Sequence, residues 1–420
     1  MSAAGGTDAA PPVRDTVGLV LPGGGARAAY QVGVLKAIAE WMPDAPNPFP
    51  IIVGTSAGAV AAAVIATEAF RWQRAIAALE QVWANFHVNQ VFRADSWHML
   101  RSGLHWAISL ASGGLLWGPP RALFDNTPLR ELLAERIQWR HLQRSLASGA
   151  LRSLAICASS YSSASSVAFF ETAPAAAPPP EWNRLQRVGR HAQLNLDHVM
   201  ASLGVPFLFP PVRLGDEYYG DGAQRQLWPL SPAIHLGANR LLVIGVRAEA
   251  AAGVTTRPQA ASSPPSAGQL FGYMLDTLFM DQIYANIEHV ARLNQVAEAA
   301  PQAMPGVHKI ATLLIAPSRD LREIASQHVA QLPRALRALL SVMGARGAAG
   351  AQLASYLMFE SSFTCECIRM GYADAAARRD ELLAFLGGQP MSETILLPVR
   401  HGLSRRRRVR LTEAGRSDQE

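Results

Sequence analysis

Twice near its start the chain runs through one local order: a short aliphatic stretch, a glycine turn, then small and apolar residues at helical spacing. The first is VGLVL (Val17–Leu21), the turn PGGGAR, and a pattern with Gln31, Val34, Leu35 and Ile38 on one side. The second is the run Ile51–Val53, a turn around Ser56, and the alanine-rich AGAVAAAVIATEAF. A strand that leads straight into a helix does not meet its next strand through a hairpin. Consecutive units of this kind build a parallel sheet covered by helices, an α/β fold.

More buried strands are expected at Leu151–Ala158 and Arg240–Val246. Ahead of them FDNTPLRELLAERI opens a helix, with Thr127 as N-cap and Pro128 in its first turn. TAPAAAPPPEW (Thr172–Trp182) is expected to be an exposed loop. Composition shifts at AAGVTTRPQAASSPPSAG, a linker or long surface loop. Beyond it come one long amphipathic pattern from Leu270 to about Ala300, a strand candidate in KIATLLIAPSRDL, and two further helical stretches ending near Leu386. The expected organisation is a leader at 1–15, a main domain at 16–250, a linker at 251–267, a mostly helical C-terminal extension at 268–390 and a basic tail at 391–420.

The 420 residues suffice for a sizeable core, and 49% hydrophobic against 17% charged residues suits a packed protein with apolar surface to spare. Such a surface is compatible with a membrane-facing patch. The opening MSAAGGTDAAPPVRD lacks a basic segment followed by an apolar one, so it reads as a leader and not a secretory signal, with the cytosol as default compartment. No window reaches the roughly 18–20 apolar residues of a spanning helix. The nearest, LHWAISLASGGLLWGPP, reads either as a buried helix-loop or as an interfacial or lid segment. Three cysteines, Cys157, Cys365 and Cys367, support neither a disulfide framework nor a zinc site, and suit core packing. Of the net charge of +6, part lies in the tail SRRRRVRL, which is a solvated tail or a contact for anionic phospholipid head groups. No aromatic residues interleave it, so nucleic acid is not an expected partner.

Ser56 stands between Gly54 and Gly58, after a strand and before a helix. That context holds a hydroxyl exposed at a helix N-terminus, where free amides favour developing negative charge. A structural serine in a tight turn is the plain alternative. The three glycines of LPGGGARAAYQVG bare backbone amides to a phosphate or to an oxyanion. As a dinucleotide fingerprint the stretch fits loosely, because the only acidic residue at about the required distance, Asp44, lies in MPDAPNPFP and not at a strand end. In EYYGDGAQ, Asp221 sits between Gly220 and Gly222, which alone also describes an ordinary chain reversal.

Together, and in this order, GGGAR, GTSAG and DGA, with ASLGVPFLFPPV (Ala201–Val212) ahead of the aspartate, resemble the patatin-like phospholipases, the bacterial members in particular. The resemblance is firm over about Val17–Leu230; SYLMFESSFTCECIRMGYADA is similar to the extension of some members. It implies a three-layer α/β/α fold with a mainly parallel central sheet and a lipid acyl hydrolase working through a Ser-Asp dyad without histidine. Carried onto this chain, Ser56 is the nucleophile and Asp221 its base. Gly23, Gly24, Gly25, Ala26 and Arg27 form the oxyanion loop, Gly54 and Gly58 the nucleophile elbow, and Gly222 the aspartate turn. Ala223 stands where many members have a second glycine. The implied substrate is a phospholipid or another acyl ester; from the leader and the basic tail the expected setting is cytoplasmic, peripheral to the inner face of a membrane, and with no ligand spacing for a metal neither a metal nor a cofactor is expected.

An unperturbed aspartate, with a pKa near ~3.9, is a weak base for a hydroxyl. The dyad therefore demands a desolvated Asp221 and a direct hydrogen bond to Ser56 when substrate is bound. The competing arrangement, Ser-His-Asp, would draw its histidine from His235, His289, His308 or His328. A non-catalytic lipid-binding protein on the same fold is the other alternative.

Overall fold

The computed structural model describes residues 15–116, 122–174, 181–248, 264–300, 302, 308–345 and 347–390. Most of the leader, most of the linker, the middle of the Thr172–Trp182 insert, Trp117 and the basic tail lie outside them.

The strands are β1 (Val17–Leu21), β2 (Ile51–Thr55), β3 (Ser153–Ser160), β4 (Ser166–Thr172), β5 (Trp182–Arg184), β6 (Arg187–His191), β7 (Val212–Leu214), β8 (Glu217–Asp221), β9 (Arg240–Ile244) and β10 (Ala311–Ile315). Among the described residues they form one sheet, ordered β10-β9-β1-β2-β3-β4-β6-β5, with β8 also on β3 and β7 on β8. The five strands from β10 to β3 are all parallel. Every residue of β1, β2, β3 and β9 is buried, as parallel strands covered by helices on both faces must be. The fold is therefore α/β with a mainly parallel central sheet and a helical C-terminal region. Beyond β3 the sheet turns mixed: β4 and β8 run antiparallel to β3, and β5 runs antiparallel to β6.

The pairing along β3 places the site. β2 pairs with β3 in parallel from Ile51↔Ser153 to Thr55↔Cys157. β8 then takes over as an antiparallel partner, from Tyr219↔Ser160 to Asp221↔Ala158. Two strands thus approach each other end to end beside β3. Their last residues, Thr55 and Asp221, stop at adjacent β3 positions.

The C-terminal region belongs to the same body. β10 pairs with β9 at the sheet edge, and the Ser361–Ala377 helix crosses the Ala29–Trp41 helix where Gly33 and Gly371 let the backbones touch. A Cβ on Gly33 would lie 2.0 Å from Ile368 O, and one on Gly371 2.1 Å from Tyr30 O.

Three expectations change in detail. The helix Thr127–Arg136 takes Asn126, not Thr127, as N-cap, and the Thr127 hydroxyl instead donates to Asp125 Oδ1 at 2.5 Å. The amphipathic pattern from Leu270 is not one helix: Ala267–Asp276 and Gln282–Ala299 are separated by a π-helical turn, Thr277–Asp281. After β10 the described residues form five α-helices, at Leu321–His328, Arg334–Val342, Gly347–Leu357, Ser361–Ala377 and Arg379–Leu386, where two stretches are expected. Short helices broken by proline and glycine give too few turns for a periodic pattern to register.

Gly58, the single glycine of the Ala57–Thr67 helix, sits where a Cβ would lie 2.1 Å from Leu21 O. Gly58→Ala must push that helix off β1 and is expected to cost about 3 kcal/mol, measured as a shift in urea midpoint. An unshifted midpoint would contradict this packing.

Candidate active site

Ser56 occupies the turn between β2 and the Ala57–Thr67 helix with φ 53° and ψ −128°, a conformation an L-residue adopts only when its surroundings impose it. Two bonds impose it here. The Ser56 N–H donates to Ser202 Oγ at 2.8 Å, and Ser202 Oγ donates to the Cys157 carbonyl at 2.6 Å. Ala59 N–H closes the first helical turn on the Ser56 carbonyl at 2.8 Å. The strained turn directs the side chain off the helix start, where the dipole favours an anion. Gly54 and Gly222 both sit where backbone or side-chain atoms leave no room for a Cβ, at 2.6 Å from Ala59 Cα and 2.2 Å from Cys157 O respectively.

Asp221 is 1% exposed. Its N–H donates to Gly204 O at 2.8 Å, and its Oδ1 accepts from Ala223 N–H at 2.9 Å. Burial pushes the carboxyl up to about 7, although the Ser56 hydroxyl and the Ala223 amide beside it favour the ionised form. Oδ2 has no hydrogen-bond partner. Ser56 is thus close enough to bias the carboxylate.

The glycine loop forms a 3-10 turn, Gly25–Ala28, with Gly25 at φ 54°. A 3-10 turn bonds i to i+3, so the amides of Gly25 and Ala26 have no acceptor within it. The Arg27 amide is committed, donating to Gly24 O at 3.1 Å. Gly23 lies against Ser56: a Cβ there would be 2.8 Å from Ser56 Cβ.

The Arg27 side chain points away from this opening. It is 2% exposed and paired with Asp276 at 2.9 Å. It also donates to Ser355 Oγ at 2.8 Å and Tyr356 Oη at 3.2 Å, and its guanidinium lies 3.9 Å from the Tyr356 ring centroid. Tyr356 Oη in turn donates to Asp276 Oδ1 at 2.5 Å, and burial holds the phenol well above its ordinary pKa. The Tyr356 carbonyl presses on Gly25, where a Cβ would be 2.3 Å away. Arg27 therefore anchors the loop to the C-terminal region and is not placed to meet a phosphate.

Ser56 opens into a narrow cavity of about 50 Å³, partly open to solvent and lined almost wholly by apolar side chains. Leu203, Val205, Leu208 and Phe209 supply one wall; Leu275, Phe279, Tyr356, Leu357 and Phe359 supply another. None of His235, His289, His308 and His328 lines it. His235 is stacked on Trp182 with centroids 4.7 Å apart, His289 lies against Trp228, His328 Nε2 is 3.1 Å from Glu366, and His308 is exposed. The Cys157 thiol, buried below the elbow, is pushed up to about 12 and stays protonated.

Sequence reasoning missed Ser202, Asp276, Phe279 and Tyr356. Ser202 stood in the ASLGVPFLFPPV stretch, whose order relative to Asp221 was its signal. The others had none, since they reach the loop from about 250 residues or more further along the chain.

Two outcomes follow from these burials. Asp276→Asn leaves the Arg27 guanidinium buried without its counter-charge and is expected to cost roughly 3–5 kcal/mol of stability by denaturant unfolding. A raised carboxyl pKa means that the fold favours protonated Asp221, so stability is full below the ordinary value near ~3.9 and is lost as pH rises through about 7. The Tm gain of Asp221→Asn over wild type is therefore expected to be larger at about pH 8 than at about pH 5. Equal gains at both would place the carboxyl in water.

A sequence model of patatin-like phospholipases matches residues 19–234, more than half of the chain. No curated protein matches. Among solved structures, the crystal structure of VipD from Legionella pneumophila is similar at 10% identity and a TM-score of 0.36, over 87% of this chain and 67% of that one, too loosely to bear on fold or activity. The match takes in the end of β1, the glycine loop, Ser56, Ser202 and Asp221, and the chain belongs to the patatin-like phospholipase family.

Proposed function

We propose that the chain is a serine acyl hydrolase of phospholipase A or lysophospholipase type, cleaving fatty acyl esters of membrane lipids with Ser56 as nucleophile and Asp221 as base. The observation that carries this reading is a backbone-strained serine beside a desolvated aspartate, at the floor of an apolar cleft.

Ionised Asp221 takes the hydroxyl proton as Ser56 Oγ attacks the ester carbonyl carbon. The carbonyl oxygen gains negative charge and is met by the free amides of the Gly24–Ala26 segment and the helix start. Collapse expels the alcohol or lysophospholipid, which receives the proton from Asp221, and leaves an acyl-Ser56 ester. Water, deprotonated by Asp221, then frees the fatty acid and restores the serine. Ser202 holds the elbow and Arg27 the loop, so neither needs to touch substrate.

Among the described residues no helix is long and apolar enough to cross a membrane. The reading is of a peripheral enzyme that meets anionic phospholipid through its surface. The Ser96–Ala111 helix supports it, because Trp97, Leu100 and Leu104 lie at i, i+3 and i+7 and are 69%, 65% and 50% exposed. Arg93 and Arg101, near this stripe, are exposed too.

Fatty acid release from mixed anionic and zwitterionic vesicles is expected for wild type and to vanish in Ser56→Ala, with fluorophosphonate labelling lost in the same variant. Release that survives in Ser56→Ala would overturn the assignment; a folded wild type that neither releases nor labels would favour a lipid-binding protein. Because the base must be ionised, kcat/KM is expected to rise with pH and level off above about 7, gaining roughly tenfold between about pH 6 and about pH 8. A profile flat over that range would remove Asp221 from the role.

A further inference from the structure

A second apolar cavity, of about 290 Å³, lies beside the first, and the two share Leu208 and Leu357 as a common partition. Trp106, Phe207, Phe271, Leu339 and Met343 line it, and it presents no polar surface. The one polar atom of Trp106, Nε1, donates to Ala122 O at 3.4 Å, which leaves the ring's apolar faces to the cavity. Leu123 and Phe124 N–H donate to Phe207 O and Leu208 O at 2.7 and 2.9 Å, so the partition is braced from behind by backbone pairing.

We infer that this cavity takes the second acyl chain of a diacyl glycerophospholipid while the first lies over Ser56. The inference rests on the acyl hydrolase reading above and narrows its substrate class. When one ester of such a lipid is at Ser56, the neighbouring ester and its chain are held only a few bonds away by the glycerol. That chain must either stay in the bilayer, extend into water, or find an apolar space adjoining the first. Here the adjoining space exists, separated by two leucines, and nothing in its lining would hydrogen-bond a polar group or water.

The surface around it is built for delivery from a lipid phase. Trp106 lies on the same helix as the outward Trp97–Leu100–Leu104 stripe and on its opposite side, so this helix carries apolar side chains both to the outside and to the cavity. Phe207, itself in the lining, is 61% exposed, and Leu270 and Val342, sequence neighbours of the lining residues Phe271 and Met343, are 56% and 86% exposed. A lysophospholipid has no use for this second space. The cavity is therefore a device for choosing two-chain substrates.

Met343→Trp and Leu339→Trp fill it from half-buried positions, where the fold has room to accept them, and Met343→Leu keeps the volume as a control. The ratio of kcat/KM for dioleoyl phosphatidylglycerol to that for its lysophospholipid is expected to fall about tenfold in the tryptophan variants and to hold in Met343→Leu. An unaltered ratio would overturn the inference, and would mean either that one chain uses both spaces or that neither is used. A crystal structure of Ser56→Ala with a short-chain diacyl phosphatidylglycerol gives a readout that needs no activity. One chain between Trp106 and Met343 and the other beside residue 56 supports the proposal; an empty second cavity ends it. Loss of the hydrolase reading shows separately, as absence of fatty acid release from both lipids by wild type.

Discussion

Strand β3 pairs with two strands along one edge, β2 in parallel up to Cys157 and β8 antiparallel from Ala158 onward, and the rest of the site follows from that junction. A sheet edge offers a fixed row of donors and acceptors, so the two incoming strands cannot slide relative to each other without breaking their ladders. Thr55 and Asp221 therefore meet at neighbouring rungs although 166 positions separate them in sequence, a figure set by the numbering alone. Ser56 follows Thr55 into the turn, and the aspartate arrives beside it. The same β3 residue, Cys157, uses its carbonyl to hold Ser202, which holds the Ser56 amide.

The junction lies under a covered sheet, which has a consequence for chemistry. Asp221 is sealed from water, so its charge is costly, and the fold spends stability to keep a carboxylate there near neutral pH. Ser56 is likewise held at a positive φ that a serine would not choose. Strain and desolvation at one point are the usual marks of a working site, and both are held in place by the surrounding ladders and by the Ser202 bridge.

The C-terminal region completes what the matched domain begins. Arg27, at the end of the glycine loop, is neutralised by Asp276 and packed under Tyr356, so the loop's position depends on residues far beyond the matched segment. Phe279 reaches the cavity from the π-helical turn that interrupts the long amphipathic pattern. Leu357 then serves two cavities at once. The enzyme's pocket is in this sense shared between the two halves of the chain.

Much of this was legible in the sequence, for local reasons. Glycines at Gly54 and Gly58 around a serine after a β-branched run dictate an elbow, and three glycines after β1 dictate a bared loop, because those conformations and close approaches exclude side chains. The parallel core of the sheet follows from strand-turn-helix order. What the sequence by itself did not determine were the partners brought from a distance: the adjacency of Ser56 to Asp221 came only through resemblance, and Asp276, Phe279 and Tyr356 carried no local mark of their roles. Pairing β2 and β8 on one edge of β3, and docking the last helices on the first, are decisions of long-range packing. They set the desolvation of Asp221 and the shape of both cavities, because burial and cavity volume are properties of the assembled core and of no single stretch of chain.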